Sequence, residues 1–130
     1  MAIVRHNPDG LFPQYGNYSH AVEVNGDSRI LFISGLNGYE QDGKTMPDSF
    51  EEQAEIIWQH IGTILRGAGM EYTDLISMRF YLASPEFDEL NMRLRKKYLG
   101  DHEVALTVIC AQLLETKWKL EIEAIAAQDV

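Results

Sequence analysis

The sequence predicts an α+β fold: a two-layer sandwich with one mixed β-sheet and two helices on one of its faces, in the order β-hairpin-α-β-α-β-β. Three observations carry this. An Asn-Gly pair separates two β-rich runs. Two segments with helix-start signals repeat apolar residues at helical spacing. The last strand alternates, with Trp118, Leu120, Ile122, Ala124 and Ala126 on one face and Lys119, Glu121 and Glu123 on the other. The 130 residues show no repeat, linker or low-complexity tract and read as one domain over residues 1–130, large enough to bury roughly two-thirds of its unfolded surface.

The hairpin is expected from Ala21-Val22-Glu23-Val24 and 29–34, joined through Asn25-Gly26-Asp27-Ser28, because Asn-Gly supplies the positive φ angles of a tight turn. Gly38, Asp42-Gly43 and Pro47 mark 36–47 as a loop. Ser49 with Glu52 three residues on is a capping box, and Phe50, Ala54, Ile57, Ile61, Ile64, Leu65 and Ala68 then form one apolar stripe. Ile76, Met78, Phe80 and Leu82 alternate with Ser77, Arg79 and Tyr81, which is strand periodicity. Ser84-Pro85 opens a second helix, with Phe87, Leu90, Leu94 and Tyr98 on its buried side and Gly100 at its end. Strands at about 103–113 and 118–127 complete the sheet. Its uncovered face is expected to carry Ile30, Phe32, Leu106, Val108 and Ile125, too apolar to be left to water, so the chain is expected to self-associate.

Twenty acidic residues against eleven basic ones give a formal charge of −9, which repels phosphate backbones, so no nucleic-acid partner is expected. The basic stretch 93–97 fits the last turns of a helix, where the dipole favours cations. No apolar run approaches the roughly 20 residues of a membrane span. Residues 1–8 lack a basic region followed by a long apolar stretch, and the lone Cys110 has no disulfide partner, so the expected location is cytoplasmic. His6, His20, His60 and His102 show no metal-ligand spacing, and Ser34 lies in no Gly-x-Ser-x-Gly elbow. No metal and no cofactor are expected. Cys110, at the parity of Leu106 and Val108, is expected among apolar neighbours. By pattern alone, Glu121 and Glu123 read as charges on a solvated sheet face.

Several segments together resemble the Rid family, which includes reactive enamine/imine deaminases and endoribonuclease L-PSP-like proteins. They are Tyr18-Ser19-His20-Ala21-Val22, Leu31-Phe32-Ile33-Ser34-Gly35, Gln53-Ala54, Ala68-Gly69-Met70 followed by Asp74-Leu75-Ile76, Tyr81-Leu82, Asn91 with Arg95 and Tyr98, and Glu121-Ile122-Glu123-Ala124-Ile125-Ala126. The resemblance implies a chorismate-mutase-like sandwich and a homotrimer whose open sheet faces turn inward, with small-molecule clefts between subunits. It also implies that Glu121 positions a water for attack on an imine carbon, with Tyr18, Ser34, Gly35 and Asn91 completing the cleft. The arginine that grips the substrate α-carboxylate in such proteins falls at Leu106, and no basic residue stands between His102 and Lys117. This marks a divergent member, for which hydrolysis of 2-imino acids is not the expected activity. Two readings then stand: Arg79, on a neighbouring strand, supplies a displaced cation, or the ligand has no carboxylate and meets an apolar wall of Leu106, Val108 and Cys110. A non-catalytic trimer that binds a metabolite or partner in the same clefts is the alternative to a deaminase-type hydrolase. The acidic charge and the lack of paired histidines argue against ribonuclease activity.

Overall fold

A computed structural model describes residues 2–14, 16 and 18–129. Eight main elements follow one another: β1 (Ile3–His6), β2 (Ala21–Val24), β3 (Ser28–Leu36), α1 (Phe50–Gly67), β4 (Leu75–Leu82), α2 (Asp88–Leu99), β5 (Ala105–Cys110) and β6 (Leu120–Asp129). The four long-range strands form a mixed sheet in the order β3-β6-β4-β5, with β6 antiparallel to both β3 and β4. Strand β5 is parallel to β4, a pairing made possible by the α2 crossover. The α+β class and the two helices match the reading of the sequence.

The expected hairpin is not there. Gly26 does turn the chain, at φ 66°, but the Asn25 N–H donates to the Ala2 carbonyl at 2.5 Å rather than to β3. Strand β2 pairs instead with β1, which the sequence reading omits, in a separate two-stranded sheet. A second correction concerns the open face. Ile30, Phe32 and Ile125 lie there, 51% of Ile30 and 74% of Phe32 being exposed. Leu106 and Val108 do not, because they stand beside Met78 and Phe80 in the parallel register and pack on the helix-side core.

Helix α1 starts where the Ser49 hydroxyl accepts the Glu52 N–H at 3.2 Å, and the hydroxyl in turn donates to the Glu52 carboxylate at 3.0 Å. Its inward face buries Ile57, Trp58, Ile61 and Leu65 completely. Each such aliphatic side chain contributes about 1.5–3 kcal/mol. Trp58 stacks on Tyr98 of α2 at 5.1 Å between ring centroids. Glu55 bonds both Lys97, at 2.7 Å, and the Tyr98 hydroxyl. Helix α2 follows a single 3-10 turn, Pro85–Phe87, and stops at Gly100, whose φ of 60° is open to glycine at little cost.

Candidate functional site

On strand β6, Leu120, Ile122, Ala124 and Ala126 are buried under the helices, so alternation turns Glu121 and Glu123 to the opposite, open face. Glu121 is flanked by Tyr81 of β4 on one side. On the other, β3 bulges between Ile33 and Leu36, and Gly35 comes to lie directly against the glutamate. A Cβ built at Gly35 would stand 3.0 Å from the Glu121 carboxyl carbon and closer still to Oε2. A side chain there would push the carboxylate from its place. The Asn37 side chain donates to the Leu120 carbonyl at 3.3 Å and to Glu121 Oε1 at 3.4 Å.

Gly35, Tyr81, Glu121 and Glu123, with residues 111–114, line a cleft of about 310 Å³. Beside it, Phe32, Ser34, Ser77, Arg79 and Ile125 line a second hollow of about 350 Å³ that shares Glu123 as a wall. The Tyr81 hydroxyl donates to Glu123 at 2.5 Å. That bond, with burial and the carboxylate charge adding to it, raises the phenol above its ordinary value. Glu123 is therefore engaged, while among the described residues the Glu121 carboxylate receives only the long contact from Asn37.

The loops that rim the cleft are fixed by one buried side chain. Gln53 donates to the carbonyls of Pro47 at 2.8 Å and Lys117 at 3.0 Å, and its own carbonyl accepts the Lys119 N–H at 2.9 Å. Gly38 passes so close that a Cβ there would lie 2.6 Å from the Gln53 Cα. Gln53 thus holds the 36–48 and 111–119 segments to one helix. Neither Asn37 nor Tyr81 was nominated as a site residue from the sequence. For Tyr81, strand parity with Arg79 was the available signal.

The residues that the sequence points to are spread over both sides of the sheet. Ser34 and Arg79 line the second hollow, Gly35 and Glu121 the first. Tyr18 precedes Ser19, which bridges Ala105 at the outer edge of β5 and donates its N–H to the Val104 carbonyl at 2.9 Å. Asn91 is buried on the inner side of α2, and Leu106 and Val108 share the helix side of the sheet. One set of residues therefore faces the open side of the sheet and another the helix side. Cys110, expected among apolar neighbours, is exposed where β5 ends.

The basic stretch 93–97 also divides. Lys96 and Lys97 point outward to Asp101 and Glu55, whereas Arg95 turns inward, only 3% exposed, with its guanidinium 5.7 Å above the Phe80 ring. Burial pulls its pKa below the ordinary arginine value, and the charge of Asp88 works in the other direction. Among the described residues, no group of three or more His, Cys, Asp or Glu is arranged to hold a metal, and no helix is long and apolar enough to cross a membrane.

Comparison with known proteins agrees with this architecture. A RutC family protein of Aquifex aeolicus is 32% identical over 116 residues, 87% of this chain and 90% of that protein. The 2-iminobutanoate/2-iminopropanoate deaminase of Bos taurus is 32% identical over 115 residues, 87% of this chain and 81% of the deaminase. The crystal structure of a Rid-family protein of unknown function from Yersinia pestis superposes with a TM-score of 0.85 at 26% identity, covering 98% of this chain and 100% of that one. With the endoribonuclease L-PSP family model matching residues 12–128, the chain belongs to the Rid family.

Proposed function

We propose that this protein is a deaminase-type hydrolase of a small imine or enamine, with Glu121 as the residue that handles the water. The observation that supports this best is the Glu121 carboxylate itself. It stands in a cleft on the open sheet face, pressed against a glycine backbone and with little of its hydrogen-bonding capacity used by the described residues. A carboxylate so placed can accept a proton from a bound water as the water oxygen adds to the imine carbon. The proton then passes to nitrogen, giving a carbinolamine. Loss of the hydroxyl proton to the amine and cleavage of the C–N bond release a ketone or aldehyde and ammonia. Relatives named as 2-iminobutanoate/2-iminopropanoate deaminases, at about one-third identity, support the reaction class.

The proposed assembly is a homotrimer with the open faces turned inward, for which the exposed Phe32 and Ile30 supply the apolar surface. In it, Tyr18 at the β5 edge and the helix-side residues Asn91, Leu106 and Val108 of one subunit complete the open-face set of the next, Ser34, Gly35 and Glu121. The arrangement explains why the two sets lie on opposite sides of the sheet in one chain. Leu106 cannot supply a cation, so any carboxylate anchor must come from another element. Arg79, on the open face, serves the second hollow beside Glu123.

The test is hydrolysis of freshly generated imines, trapped in competition with semicarbazide. Turnover is expected for the wild type and a loss of about 100-fold or more for Glu121→Gln, which keeps the shape and removes the base. Turnover that survives the substitution would sink the mechanism. Tight metabolite binding without turnover, unchanged by Glu121→Gln, would instead support a non-catalytic binding trimer.

A further inference from the structure

Asn91 and Arg95 are the two polar side chains of α2 that point into the protein, one turn apart on the same helix face. Asn91 is 1% exposed and Arg95 3%. Among the described residues, neither amide atom of Asn91 has a hydrogen-bonding partner, and neither does Nε or Nη1 of Arg95. Arg95 makes no ion pair among the described residues. Asp88, the acid that acts on it, sits on the exposed first turn of α2. The Phe80 ring beneath the guanidinium offsets only part of the cost of holding a charge out of water. Buried polar groups in folded proteins are nearly always satisfied. Two adjacent ones that are not, one of them charged, describe a receptor for something of opposite charge.

The geometry points to Asn91 and Arg95 as the carboxylate-binding site of this protein, taking over the task that Leu106 cannot perform. The inference rests on the reading of the chain as a small-molecule protein and narrows its ligand to a small carboxylate. Phe80, under Arg95, is the register neighbour of Val108, and Leu106 is two residues before it on the same face. Arg95 thus reaches the Leu106 side of the sheet from the helix, whereas Arg79, paired with Glu123, lies on the opposite side. A guanidinium offers Nε–H and Nη1–H as a planar fork for two carboxylate oxygens. The Asn91 Nδ2 adds a further donor, and its Oδ1 is left for an N–H or O–H of the same molecule. Gly16 lies beside Arg95, a Cβ there standing 3.8 Å from Nη2.

The experiment titrates the full-length protein with 2-hydroxypropanoate and, separately, with its neutral amide. The Arg95 Nε–H signal is followed by NMR and is identified by its absence from Arg95→Lys. The signal is expected to move saturably with the acid and not with the amide. In Arg95→Met, whose side chain can keep the contact with Phe80, affinity for the acid is expected to fall about tenfold or more. An unmoved Arg95 signal, or unchanged affinity in Arg95→Met, overturns the inference. The outcome separates from that of the hydrolysis reading. Acid binding at Arg95 without imine turnover leaves this site standing and removes the reaction. Equal turnover of imines with and without a carboxylate, with an unmoved Arg95 signal, does the reverse.

Discussion

At position 35 the space that a methyl group would take is filled by the Glu121 carboxylate. Because the clash is with the far end of a flexible side chain, Gly35→Ala is expected to displace the glutamate rather than unfold the protein. A shift of about 1 Å in a reacting group costs on the order of 100-fold in rate. Imine hydrolysis should therefore fall by about that factor, while the melting temperature read by circular dichroism stays near the wild-type value. A large drop in melting temperature would mean that Gly35 serves the fold instead. At this scale the sequence was legible where a residue type and its neighbours form a motif, as with Glu121. It was not legible for Arg95, which sits among four other basic or aliphatic residues and whose helix-end position already explains a cation. Only its spacing from Asn91 hints that it turns inward, and burial cannot be read from spacing alone.

Among the elements, both helices could be placed from caps and periodicity because the signals that start and stop them are local. Strand pairing is not local. At the expected Asn25-Gly26 turn only Gly26 takes a positive φ, and the turn joins two strands of different sheets, since β3 pairs with a strand about a hundred residues away. Strand β5 was misfaced for a related reason. It carries apolar residues on both parities, Leu106 and Val108 on one and Ile109 on the other, so alternation alone cannot say which side meets the helices. The small sheet is in turn tied to the large one by a histidine. His102 shares its Nε2 proton with the Leu75 carbonyl at 2.7 Å, which leaves Nδ1 to accept from Arg5 of β1 at 3.0 Å. Burial, aided by the nearby Arg5 charge, lowers its pKa below the ordinary value of 6.5. With the folded value depressed, the unfolded chain binds the proton more readily, so stability should decline as pH falls from about 6.5. Glu23, Asp42 and Asp101, lowered mainly by side-chain hydrogen bonds, respond only in the more acid range. Urea midpoints compared at pH 7.5 and 5.5 should fall for the wild type and change less for His102→Gln. Equal slopes would remove His102 from the account.

For the whole molecule, the open sheet face is the feature that decides between a monomer and an assembly. Phe32 is exposed on the edge strand β3, beside Ile125, its register partner on β6. If the trimer buries this face, Phe32→Glu should yield a folded monomer by light scattering and abolish turnover together with assembly, because each cleft then lacks its second wall. A Phe32→Glu protein that stays trimeric would place the interface elsewhere. The sheet order has one more consequence. Strand β6 lies between β3 and β4 but is the last strand in the chain. During synthesis, β3 and the β4–β5 pair cannot be joined until the segment bearing Glu121 has left the ribosome, so β3 and β4 wait with their inner edges unpaired. The strand that carries the proposed water-handling residue is thus also the one whose arrival completes the fold, and a chain cut short before it would lack both together.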